Sequence, residues 1–176
     1  WQVLNFFEIK PNHEFQLMTE NQTLASFTSK ALEAVDDYLE KQNPDLVLVQ
    51  GDTSTVMATS MACYFRGVPL GHVEAGLRSG SFEHPFPEEY NRVVTTLTTR
   101  LHFAPTESAK NHLLSEGVKS KNVFVTGNTV IDALYQAVEK VKSSPPVFDN
   151  FSKLPVNYIL VTGHRRENFG SGLRTI

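Results

Sequence analysis

The stretch Leu46–Glu74, LVLVQGDTSTVMATSMACYFRGVPLGHVE, decides the fold. LVLVQGD is a short apolar run rich in β-branched residues, long enough for a buried strand and too short for a helix. TSTVMATSMACYFRG reads as a helix, opened by a polar cap at Asp52 or Thr53 and closed by Gly67. VPLGHVE is then a second strand. Strand, helix and strand over so short a span is a parallel crossover unit, because parallel neighbours need a connection that a helix usually supplies.

The same alternation extends in both directions. Upstream, Leu24, Phe27, Leu32, Val35 and Leu39 recur at helical spacing and stop at Asn43, Pro44 and Asp45. Downstream, PEEYNRVVTTLTTR has Pro and two Glu where the first turn of a helix favours them. It leads into the strand LHFAP, the helix TESAKNHLLSEG, the strand NVFVTG and the helix NTVIDALYQAVEKV. The fold class expected is α/β, a Rossmann-like doubly wound parallel sheet. KSSPPVFDNFSKLP breaks the period with adjacent prolines and serines and reads as a linker, after which NYILVTGHRREN starts a fresh strand and turn. The organisation expected is an N-terminal domain over residues 1–142, a linker over 143–157, and the start of a C-terminal domain over 158–176. WQVLNFFEI reads as a helix already under way and GSGLRTI follows the signals for a new one, so the chain is expected to be truncated at both ends.

Composition narrows the partners. Sixteen Lys and Arg stand against nineteen Asp and Glu, with a pI near 6.1 and a mean hydropathy of -0.23. No basic excess supports a nucleic-acid or membrane-surface binder, and neither partner is expected. Cys63 is the lone cysteine, which excludes an internal disulfide and a paired Cys/His zinc site. With no apolar run near the ~20 residues that span a bilayer, a cytoplasmic location is expected.

Function in such a sheet sits beyond the carboxyl ends of the strands. Asp52 follows LVLVQG, Glu74 follows PLGHV, Glu88 opens the next helix, and His164 follows YILVTG. Taken singly, Asp52 reads first as a helix cap, and Glu88 as an acid favoured by a helix N-terminus. Glu74 ends an apolar strand, where an unpaired carboxylate is costly. Together the acids suit proton transfer, since crowded carboxylates push one another's pKa values apart. Arg78, Arg92, Arg165 and Arg166 are the compensating cations, whether for an anionic ligand or for the acids themselves, with a plain salt-bridge network as the alternative. TGHRREN places His and two Arg between a strand and a helix start, which suits a phosphate. His72 and Glu74 have the spacing of a zinc deaminase, but the second cysteine that signature needs is absent. GDTST lacks the Lys of a P-loop, GSG lacks a dinucleotide fingerprint, and His84, His102 and His112 receive no role.

VQGDTSTVMATSMACYFRGVPLGHVEAGLRSG, PFPEEYNR, FAPTESAKNHL, VFVTGNTVIDAL and ILVTGHRRENFG resemble, in order, the non-hydrolysing UDP-N-acetylglucosamine 2-epimerases. The resemblance implies a GT-B-type fold of two Rossmann-like domains around a nucleotide sugar. It implies interconversion of UDP-N-acetylglucosamine and UDP-N-acetylmannosamine by elimination and re-addition of UDP, for cell-surface polysaccharide synthesis. No metal or other cofactor is implied, and a homodimer is. The catalytic residues it implies are Asp52, Glu74, Glu88 and His164. Asp52 and Glu88 are expected to exchange protons while Glu74 stabilises charge. Arg78, Arg92, Arg165, Arg166 and Glu167 are the expected substrate-binding residues. The resemblance covers about half of a full-length enzyme, so these 176 residues alone are expected to turn over poorly. A hydrolysing epimerase, a GT-B glycosyltransferase and a non-catalytic UDP-sugar-binding module are the competing readings.

Overall fold

A computed structural model describes residues 2–145, 155, 157–159 and 161. The chain divides into two compact units, Trp1–Tyr135 and Gln136–Ile176.

In the first unit, α1 (Gln2–Phe6) precedes α2 (Leu24–Gln42), and β1 (Val47–Gln50), α3 (Ser54–Arg66), β2 (Leu70–Val73), α4 (Glu88–Thr98), β3 (Leu101–Ala104), α5 (Glu107–Ser115) and β4 (Val123–Val125) follow. The last described helix, α6 (Thr129–Ser143), spans the boundary between the two units. Local chemistry sets these limits. Thr23, Thr53 and Thr106 each cap a helix by accepting from the backbone N–H three residues on, at Ser26, Val56 and Ala109. Thr53 is therefore the cap of α3, which leaves the Asp52 carboxylate free for other work. Gly67 ends α3 in the left-handed region at φ 67°, and Val68 N–H returns to Cys63 O at 2.9 Å.

The four strands are parallel and lie in the order β1-β2-β3-β4. A strand order that runs in one direction, with right-handed crossovers, places every connecting helix on the same face. Burial agrees. The rung Val49–His72–His102–Val123 is buried, whereas Gln50 and Phe124 on the neighbouring rung are exposed. Val35 and Leu39 of α2 close one half of the core with Val56, Ala62 and Cys63 of α3 and with Val49 and Leu70. Ala109 and Leu113 of α5 close the other with Ala75, Ala104 and Val123. The expected stripe of α2 faces the core through Val35 and Leu39, with Leu32 packed against the same cluster and Ala31 buried beside them, while Leu24 at the helix start is exposed. No residue of α1 is buried, so its apolar residues form no core face. The strand expected at 158–161 is not formed at Tyr158, Ile159 or Val161, which are exposed. A parallel strand exists only through a neighbour's ladder.

No described helix is long and apolar enough to cross a membrane.

Two consequences of this packing are measurable. Gly76 holds φ 84°, and a Cβ there would meet the backbone carbonyl of Ala109 and lie 2.9 Å from Leu113 Cγ. Gly76→Ala is expected to destabilise the fold by about 3 kcal/mol, read as a lower urea midpoint with unchanged slope. His102 is 1% exposed, and burial, with the neighbouring His72 adding to it, pushes its pKa down to about 4. A depressed histidine stabilises the fold above the unfolded pKa, near 6.5, and that stability is lost as pH falls toward 4. Denaturant titrations from pH 7 to pH 4 should show a loss of at most about 3 kcal/mol from this group, reduced in His102→Gln.

Candidate active site at the carboxyl edge of the sheet

The edge is built from the turn that follows β1. Gly51 takes φ 82°, a conformation other residues adopt at a cost, and donates its N–H to Val73 O on β2 at 3.1 Å. The register Gln50↔Val73 then fixes two acids together. Asp52 lies two residues past that rung on β1 and Glu74 lies one residue past it on β2. Helix α4 supplies the third acid. Asn91, 1% exposed, donates from Nδ2 to Asp52 O at 2.8 Å, which ties the first turns of α4 to the β1–α3 turn. Glu88 begins that helix one turn before Arg92.

Arg92 holds the charge balance. Its guanidinium is buried, with Nη2 3.4 Å from Asp52 Oδ2 and Nε 3.7 Å from Glu89 Oε2. Glu74 is half-buried at φ 68°, a strained left-handed conformation for a residue with a side chain, costing about 1 kcal/mol. Among the described residues its carboxylate has no hydrogen bond or ion pair. Glu88 Oε2 is buried, again with no partner among them. Among the described residues, then, Glu74 and Glu88 have carboxylate oxygens with no partner and Asp52 faces one arginine, which leaves acceptor capacity on all three for a ligand. No cluster of three metal-ligating side chains occurs among the described residues.

The remaining expected residues divide. Arg78 is engaged elsewhere: its Nε and Nη2 each donate to the carboxylate of Glu116 on α5 at 2.7 Å. Its other donors reach Thr96 Oγ1 and Leu77 O. This guanidinium is a structural clamp between the β2–α4 loop and α5, and it borders a separate hollow of about 620 Å³ with Phe82 and His112. His164, Arg165, Arg166 and Glu167 lie outside the described residues.

Three residues of the edge were not anticipated. His72 Nε2 donates to Gly51 O at 2.8 Å, Asn91 holds the next carbonyl, and Glu89 anchors the loop. Glu89 is 3% exposed, and its carboxylate accepts from the N–H of Ser79 at 3.0 Å and of Gly80 at 3.1 Å. Burial raises its pKa, but these backbone donors and the positive charges of Arg92 and Arg78 outweigh that and hold it below the usual carboxylate range. The sequence signal for Glu89 is PEE, two adjacent acids of which a helix start can bury either.

A parallel sheet with acids gathered beyond its strand ends defines a Rossmann-like α/β layer with its ligand edge occupied by ionisable groups. The chain belongs to the UDP-N-acetylglucosamine 2-epimerase family, whose model, so described, matches residues 1–176. It is 48% identical over 99% of its length to a protein of Ralstonia solanacearum named as a probable UDP-N-acetylglucosamine 2-epimerase. It is 45% identical over 99% of its length to the UDP-N-acetylglucosamine 2-epimerase of Escherichia coli K12. It covers 48% of each of those relatives, so the chain spans about half the length of the curated relatives it matches. In structure it matches the Neisseria meningitidis UDP-GlcNAc 2-epimerase bound to UDP-GlcNAc, with TM-score 0.93 and 46% identity over 99% of this chain and 48% of that one. The Methanocaldococcus jannaschii enzyme in complex with UDP-GlcNAc and UDP gives TM-score 0.86 and 37% identity over 95% of this chain and 46% of that one.

Removing the Glu89 carboxylate leaves Arg92 short of one anion and two loop amides without an acceptor. Glu89→Ala is expected to cost about 3 kcal/mol at neutral pH. Because the folded pKa is depressed, the carboxylate's contribution is present above its unfolded pKa and fades as pH falls through the folded one. The gap between wild type and variant in urea melts should therefore narrow toward acid pH.

Proposed function

We propose that this chain carries the acid–base half of a UDP-N-acetylglucosamine 2-epimerase, which interconverts UDP-N-acetylglucosamine and UDP-N-acetylmannosamine. The observation that supports this most directly is that Asp52 and Glu74 follow neighbouring parallel strands, with the buried Arg92 against Asp52 and the first turn of α4, which Glu88 opens, tied to the Asp52 carbonyl through Asn91. Family membership, and relatives solved with UDP-GlcNAc or UDP bound, give the class of ligand.

The chemistry explains the residue types. The sugar's C2 hydrogen is not adjacent to a carbonyl, so it becomes acidic only as the C1–O bond breaks and positive charge grows on the ring. Carboxylates stabilise that charge. One carboxylate takes the C2 proton while the C1–O electron pair leaves with UDP, and a C1=C2 double bond forms. A second carboxylic acid then returns a proton to C2 from the opposite face as UDP rejoins C1. Asp52 and Glu88 form the exchanging pair in this reading, and the strained, half-buried Glu74 supplies negative charge to the ring. Arg92 faces Asp52, with Nη2 3.4 Å from Oδ2. His164, Arg165, Arg166 and Glu167 hold the departing diphosphate and nucleotide from a second Rossmann-like domain, completing a GT-B-type arrangement. In this organisation residues 1–142 belong to the first domain, 143–157 to a linker and 158–176 to the second domain. The enzyme works in the cytoplasm as a homodimer, without nucleic acid or membrane as partner, and needs neither metal nor nicotinamide for this route.

Incubating the intact enzyme with UDP-N-acetylglucosamine in heavy water tests the reading. UDP-N-acetylmannosamine bearing deuterium at C2 is expected, with deuterium also entering the recovered substrate. Free N-acetylmannosamine plus UDP would instead mark a hydrolase, and an absence of exchange would reduce the protein to a binding module. Asp52→Asn and Glu88→Gln are each expected to lower kcat by roughly 10²–10⁴-fold.

A further inference from the structure

The β1–α3 turn that carries Asp52 is gripped at successive backbone atoms from neighbouring elements. Gly51 N–H donates to Val73 O, Gly51 O accepts from His72 Nε2, and Asp52 O accepts from Asn91 Nδ2. His72 is 0% exposed, on the middle of β2, with its side chain on the buried face of the sheet. A carbonyl can only accept, so Nε2 carries the hydrogen and the ring is the Nε2–H tautomer. Its Nδ1 is buried without a partner among the described residues. Protonation there would create a buried N–H with nothing to receive it, and burial accordingly lowers the pKa of His72, with nearby Arg78 and Arg92 acting in the same direction. A Leu or Val would fill this core position without leaving an orphaned nitrogen. The imidazole stands where its one satisfied atom meets the carbonyl immediately before Asp52.

We propose that His72 is a positioning residue for Asp52: its Nε2–H holds the Gly51 carbonyl, and with Asn91 on the next carbonyl it fixes where the Asp52 carboxylate points. Gly51 has φ 82°, and a Cβ there would meet nothing within 4 Å, so no neighbour packs against that side of the turn. The hydrogen bonds to its successive backbone atoms are what hold it from the neighbouring elements. A misplacement of about 1 Å at a reacting group costs on the order of 10²-fold in rate. The inference rests on the reading of Asp52 as a proton-transfer group and adds a residue that never touches the sugar.

The test compares His72→Leu, His72→Gln and His72→Asn in the intact enzyme. Leu keeps the volume and removes the donor. Gln returns an N–H near the Nε2 position, whereas Asn presents its amide near Nδ1 and withdraws the donor from Gly51. His72→Leu and His72→Asn are expected to lose kcat by roughly 10–100-fold with KM for UDP-N-acetylglucosamine within about twofold, and His72→Gln to regain most of the rate. Amide hydrogen exchange over residues 51–53 should accelerate in the Leu and Asn variants and return toward wild type in Gln. Should His72→Leu fail to fold, the Asn and Gln pair carries the comparison. Wild-type kcat in His72→Asn, or equal losses in Asn and Gln, would overturn the proposal. The exchange readout needs no turnover: normal exchange changes in a protein without epimerase activity would refute the functional reading and leave the hydrogen-bond grip standing.

Discussion

Arg92 brings a buried positive charge to the place where the sheet gathers its acids. Its guanidinium faces Asp52 at 3.4 Å and Glu89 at 3.7 Å, and the side chain is 10% exposed. Like-charged carboxylates brought together out of water would protonate or force the edge apart, and a single delocalised cation removes that obstacle. The two anions it serves have different duties. Glu89 is committed to the Ser79 and Gly80 amides and so fixes the loop after β2. Asp52 has no other side-chain partner among the described residues, so its carboxylate retains lone pairs for a ligand.

The topology explains why the acids meet at all. In a parallel sheet every strand ends at the same edge, and a strand order without reversal puts each following helix on one face. Asp52 and Glu74 therefore follow neighbouring strand ends at one rim, and the first turn of α4, which Glu88 opens, is tied to that rim through Asn91. The helical side of the sheet is sealed by core, including the buried rung of His72 and His102. Chemistry at the rim is thus supported from behind by side chains with almost no freedom, which suits a reaction limited by placement of proton donors and acceptors.

The local elements were legible because their signals are local. Threonine caps, Gly67 and the β-branched runs LVLV and NVFV lie within the segments they define, and β1 through β4 fall where those signals put them. Side-chain assignments that depend on distant partners were not legible. Arg78 looked like a ligand for an anion, but Glu116, 38 residues away, takes both ends of its fork. Which of Glu88 and Glu89 turns inward depends on about 100° of rotation around α4, and the helical pattern of PEEYNR does not fix that phase. His72 was readable only as a possible metal ligand, since the carbonyl it holds lies 21 residues earlier and meets it through strand register. Family resemblance supplied the chemistry that spacing left open, and strand register supplied the reason Asp52 and Glu74 follow neighbouring strand ends.

The central claim is that Asp52, Glu74 and Glu88 address one sugar ring. A crystal structure of the intact enzyme with UDP-N-acetylglucosamine bound measures this directly. The account predicts the carboxylates of Asp52 and Glu88 within ~3 Å of proton-transfer positions on opposite faces of C2, with Glu74 against the same ring. A pyranose that contacts only one of the three, with the others facing separate regions of the protein, would contradict it.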